Sequence, residues 1–83
     1  MFEDFGCKVG DTLFVAVLDL KKICEFEVDC LKVFSGDFTA HGYIYGKYGK
    51  YGAPTEFSLK KLNKRVIFTN KILAVNWMNN YFK

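Results

Sequence analysis

Between Lys22 and Phe34 the chain reads KICEFEVDCLKVF, and its apolar and acidic side chains alternate. Cys24, Phe26, Val28 and Cys30 form one row, and Glu25, Glu27 and Asp29 form the other. A period of two belongs to a strand with one face buried and one in water. Beyond Cys30 the phase slips, because Leu31 and Val33 become the apolar positions around Lys32. A slip of one residue turns every later side chain to the other face, so a bulge or sharp bend is predicted near Cys30–Leu31.

The neighbouring segments extend the same pattern. A turn at Gly10–Asp11 leads into an apolar run from Leu13 to Leu18, read as a strand. Ser35-Gly36-Asp37 is a hairpin turn, and FTAHGYIYGK returns as a third strand. GKYGKYGAP is a loop closed by Pro54, EFSL a short strand, KKLNK a turn and RVIF another short strand. Thr69 is an N-cap candidate for a helix from Asn70 to about Phe82. The predicted fold is mainly β: a small curled antiparallel sheet or SH3-like barrel of four to five strands with one C-terminal helix, in a single domain over residues 1–83.

The terminal helix carries more apolar surface than a core-facing stripe requires. Leu73, Ala74, Val75, Trp77, Met78, Tyr81 and Phe82 project over an arc of roughly 200°, against somewhat over 100° for an ordinary stripe. Ile72 projects among Asn76, Asn79, Asn80 and Lys83 on the opposite side. Two accounts fit: a helix sunk deep across an open barrel end, or a contact surface for a homodimer or a partner.

Composition makes disorder untenable. Of 83 residues, 51% are hydrophobic, including nine Phe, five Tyr and one Trp. No run reaches the roughly 18 to 20 apolar residues of a membrane span, and acidic residues occupy the place of a signal peptide's basic region. The expectation is a cytoplasmic protein without membrane contact. Cys7, Cys24 and Cys30 include no CxxC pair and have one histidine, His41, for company, so they read as reduced thiols packed as small hydrophobes.

Charge is unevenly spread. Residues 1–37 hold eight acidic residues and four lysines, a net of −4, whereas residues 38–83 hold Glu56 against eight basic residues, a net of +7; together these give the overall +3. Such a split predicts an acidic face and a basic face.

A resemblance joins the two ends of the chain. Gly10-Asp11-Thr12-Leu13-Phe14 and the segment FSLKKLNKRVIFTNKILA resemble short proteins encoded by phages and mobile elements of Gram-positive bacteria. Those proteins start near GDTVY and end near (I/L)-G-K-x-V-F-L-T-x-E-E-A. Lys64, Val66 and Thr69 match; Asn63 stands for Gly, Ile67-Phe68 for Phe-Leu, and Ile72 for the capping-box glutamate. The resemblance omits the tyrosine hairpin. It implies a small barrel of phage or mobile-element origin, and no activity.

No catalytic constellation stands out. A nucleophile would have to pair a cysteine with His41 without an orienting motif. Glu25, Glu27 and Asp29 lie about 7 Å apart along one strand face, too far to share one ion without further ligands. That row reads as a solvated acidic face, with a charge spacing that can also imitate a phosphate backbone. GYIYGKY has the wrong glycine spacing for a phosphate loop, and the GKYG stretch joins strands where a KH loop joins helices. No metal or cofactor is expected.

The remaining candidate is the stretch from Gly42 to Gly52, whose Tyr43, Tyr45, Lys47, Tyr48, Lys50 and Tyr51 lie among four glycines. Its rings can cover the core, bind a protein with large area at small entropic cost, or stack on unpaired bases beside phosphate-seeking lysines. The leading expectation is a non-enzymatic binding protein that attaches to and inhibits a host protein, most concretely a CRISPR-Cas or other defence nuclease. The alternative is a small barrel binding RNA or single-stranded DNA through the tyrosine–lysine hairpin. An enzyme using cysteine and His41 is the third reading.

Overall fold

The computed structural model describes residues 6–46 and 52–83. Strands β1 (Thr12–Val17), β2 (Lys22–Phe34), β3 (Asp37–Tyr45), β4 (Ala53–Ser58) and β5 (Ile67–Phe68) precede helix α1 (Lys71–Tyr81). Short 3-10 turns at Leu18–Leu20 and Leu59–Lys61 follow β1 and β4. The ladders are antiparallel, in the order β4-β3-β2-β1-β5. Among the described residues β4 and β5 do not pair, so the curled sheet stays open. The fold is therefore the small antiparallel sheet with one C-terminal helix, without closure into a barrel.

The β2–β3 hairpin turns on two residues, Ser35 (φ 52) and Gly36 (φ 77), with Phe34 opposite Asp37. Two positive φ angles match the strand twist in so tight a loop, and glycine adopts one without steric cost. The predicted bulge is present, slightly earlier than expected: pairing shifts between Val28 and Cys30, leaving Asp29 as the extra residue. Gly42 lies opposite Val28 at this bend, where a Cβ would run into the Glu27 carbonyl and crowd the Phe26 ring. Only glycine lets the strands approach so closely.

One face of the sheet holds the main core. Leu13, Val15 and Val17 of β1 meet Cys24, Phe26, Val28, Ala40, Ile44, Leu59 and Ile67 there. Phe26 is fully buried and meets Phe57 edge-on at 5.2 Å between ring centroids. Burying one such side chain stabilises by about 1.5–3 kcal/mol. The opposite face carries a second cluster under the helix, in which Ala16 and Phe68 pack with Ala74 and Met78, flanked by Phe14, Ile23 and Trp77. β1 is thus covered on both sides, which explains its uninterrupted apolar run.

Several boundaries differ from expectation. Pro54 lies inside β4 rather than closing the preceding loop, and a sheet edge tolerates its missing N–H. The cap is Asn70, whose Oδ1 accepts from the Leu73 N–H at 2.9 Å. Thr69 is occupied elsewhere: its N–H and Oγ1 donate to Asn63 Oδ1 at 2.7 and 3.0 Å. Asn63 has φ 64, a conformation that asparagine tolerates better than most residues.

The helix is not sunk into the sheet. Only Ala74 and Met78 are buried, while Ile72, Leu73, Tyr81 and Phe82 are exposed. It rests on a sheet face, which touches a narrow stripe. The last-turn aromatics cover one another instead: Trp77 stacks on Tyr81 at 5.3 Å, Tyr81 meets Phe82 edge-on at 5.0 Å, and Lys21 Nζ lies 5.3 Å from the Phe82 ring.

Candidate interaction face

The outer face that α1 covers over β1, β5 and Ile23 of β2 continues across the rest of β2, β3 and β4 with no element over it among the described residues. Register decides what is displayed there. Glu25 stands opposite Tyr45 and Glu27 opposite Tyr43; Tyr43 in turn faces Pro54, and His41 faces Glu56. Directly opposed side chains have Cβ atoms about 4.5–5.5 Å apart. The acidic row and the strand tyrosines, separate features in the sequence, therefore form one surface.

Within it, Glu25, Glu27, Asp29, Tyr43 and Glu56 are exposed, and Tyr45 is half-buried. The ionisation of Tyr45 is pushed up, first by partial burial, then by the charge and hydrogen-bonding influence of Glu27, with smaller effects from Tyr43 and Asp29. The phenol thus remains a neutral donor throughout the physiological range. His41 Nε2 lies 3.3 Å from Glu56 Oε2 and 3.4 Å from Thr39 Oγ1. Glu56 is 63% exposed, so that contact orients the imidazole more than it stabilises the fold. A depression lined by Asp29, His41, Tyr43, Pro54 and Glu56 lies between these side chains.

The bulge redistributes the residues that follow it. Cys30, expected inside, stands opposite His41 and is only half-buried, whereas Leu31 opposite Ala40 now packs on the core. Cys7 and Cys24 are buried as expected, and burial, aided by the Asp11 charge, raises the Cys7 thiol above its ordinary value. Among the described residues no three of His, Cys, Asp and Glu are placed to hold a metal ion. No helix among them is long and apolar enough to cross a membrane.

Lys47, Tyr48, Lys50 and Tyr51 lie outside the described residues. Two features escaped the sequence reading. Phe34, at the hairpin tip, is 77% exposed, because the phase slip carries it to the outer face with Cys30 and Lys32. Lys60, Lys61, Lys64 and Arg65 are all exposed on the turn between β4 and β5. Their clustering was legible in KKLNKR; their common anchoring was not.

Comparison with protein-family models, with curated proteins and with solved structures finds no match to this chain.

Proposed function

We propose that the chain acts by stoichiometric attachment to a protein, through the bare outer face of β2, β3 and β4. The observation that carries this reading is the register placing Glu25 and Glu27 beside Tyr45 and Tyr43. Tyrosine supplies contact area at low entropic cost, and the surrounding carboxylates select a basic partner and speed its encounter. Carboxylates about 7 Å apart along a strand offer a basic channel a substitute for the phosphates it was built to hold. The partner in this reading is a host protein that handles nucleic acid, a defence nuclease in its most concrete form, and attachment inhibits it. The same carboxylates weigh against the alternative of RNA or single-stranded DNA resting on Tyr43 and Tyr45, since they repel a phosphate backbone.

The test is affinity capture from host lysate with the native chain and with a Glu25→Lys/Glu27→Lys variant, each with and without nuclease digestion. The expected result is a partner that survives digestion and is lost on charge reversal. A partner that disappears on digestion, or that the reversed variant retains, sinks the proposal.

A further inference from the structure

One end of the sheet brings together groups that the acidic face does not use. Phe34 stands at the tip of the β2–β3 hairpin with Lys32 on the same side of the strand. β4 ends beside this tip: Ser58 pairs with Thr39, and its Oγ donates to Asp37 Oδ1 at 3.1 Å. Lys60 and Lys61 follow immediately, and Lys64 and Arg65 continue the turn. All five cations are exposed, and none has a carboxylate within 4.0 Å among the described residues. Asp37 and Glu56 line the depression that holds Phe34 and Lys32, Asp37 accepting from Ser58 and Glu56 lying beside His41.

The basic turn is held in shape. Leu59 is buried, and Leu62 packs on the core and bridges to Ile67. Ser58 Oγ accepts from the Lys60 N–H at 3.4 Å, the Leu62 N–H donates to the Leu59 carbonyl at 3.2 Å, and the Lys64 N–H donates to the Lys61 carbonyl at 3.1 Å. The Asn63 N–H donates to the Ile67 carbonyl at 2.8 Å. With both leucines turned inward, the cations face water from a fixed backbone, so little ordering is required when a polyanion arrives.

We propose that this region binds single-stranded nucleic acid, with Phe34 stacking on an unpaired base, Lys32, Lys60 and Lys61 attracting the backbone near it, and Lys64 and Arg65 continuing that attraction along the turn toward β5. An exposed ring beside unpaired cations is the combination that single strands require, because every base has a face to stack and every nucleotide a charge. A duplex has no free base face for Phe34. A bilayer fits less well: Val33 and Phe34, the two apolar residues of the tip, are consecutive in the strand and point to opposite faces, so they offer no joint surface to insert. This site is distinct from the acidic face and does not rest on the function proposed for it.

The experiment is fluorescence anisotropy of a labelled oligothymidylate of about 12 nucleotides with the full chain, titrated at salt concentrations between about 50 and 200 mM. A duplex and anionic phosphatidylserine vesicles serve as parallel probes. Phe34→Ala is expected to weaken binding to the single strand at least about fivefold while leaving binding to the duplex unchanged. Lys60→Gln/Lys61→Gln/Lys64→Gln/Arg65→Gln is expected to reduce the slope of log K against log salt by about 2 to 3 units. All these positions are exposed, and unchanged circular dichroism melting will show that the variants fold. Absence of binding at low salt overturns the proposal, as does an unchanged salt slope, an equal Phe34→Ala loss on duplex, or binding to vesicles alone.

Discussion

The outer face of this sheet is built twice over, once to be covered and once to be left bare. Over β1 and β5 it presents Phe14, Ala16 and Phe68, and α1 lies across them with Ala74 and Met78. From the adjacent strand onward it presents Glu25, Glu27, Tyr43, Tyr45 and Glu56, with no element over them among the described residues. Backbone geometry is shared, so the difference lies in side chains alone. An apolar row calls for a lid because its exposure to water costs about 25 cal/mol per Å². A row of carboxylates carries no such cost, so the chain can leave it open. The helix therefore belongs to the stability of the fold, and the bare half is where a partner can be read without dismantling anything.

That contrast can be broken most severely at the covered half. Phe68→Ala is expected to lower unfolding free energy by about 3–5 kcal/mol in a urea titration, because it removes a ring 2% exposed between Ala16 and the helix. A loss below about 1 kcal/mol would mean that α1 is not held by this cluster. Asn70→Ala sharpens the account at the helix start, with an expected loss of about 1 kcal/mol from the Leu73 N–H left uncapped. Were Thr69 the operative cap, Asn70→Ala would be silent in the same titration. The smallest effect belongs to the bare half: Tyr43→Ala should change stability by no more than about 0.5 kcal/mol, since the ring is 40% exposed. A loss comparable with that of Phe68→Ala would return the tyrosine to the core and remove the basis for a contact face.

Much of the covered half was legible in the sequence. The two-residue alternation of β2 and the unbroken apolar run of β1 report burial on one face and on two. These are local consequences of what each strand touches. The helix cap was misplaced by one residue because Thr69 and Asn70 are both good caps, and Asn63, six residues from Thr69, claims the hydroxyl of one of them. The depth of the helix was beyond reach: an arc of apolar residues says how much surface could be buried, not whether a groove or a plane lies beneath. For the bare half the residues were legible but their union was not. Glu25, Glu27, Asp29, Tyr43 and Tyr45 were each singled out, yet only the β2–β3 register makes neighbours of the two groups. The phase slip reported that a bulge existed. It did not say which row of β2 the bulge would set beside the tyrosines.

That decision rests on Asp29. Counted back from Phe34 opposite Asp37 with Asp29 paired in the ladder, Val28 would face Tyr43 and Phe26 would face Tyr45, on the apolar side of the strand; with Asp29 left out of the ladder, Glu27 and Glu25 take those places. The pairing of the two rows is therefore a matter of register rather than of composition. Substitutions along β3 can alter what the face recognises, one residue at a time and reversibly. Loss of the single codon for Asp29 would leave a regular ladder with Glu27 still opposite Tyr43 and Glu25 still opposite Tyr45, whereas drawing Asp29 into the ladder opposite Gly42 would set Val28 and Phe26 beside the tyrosines. A lineage carrying this strand can drift widely in composition, or lose Asp29, while the two rows stay paired; what it cannot do is take Asp29 into the ladder.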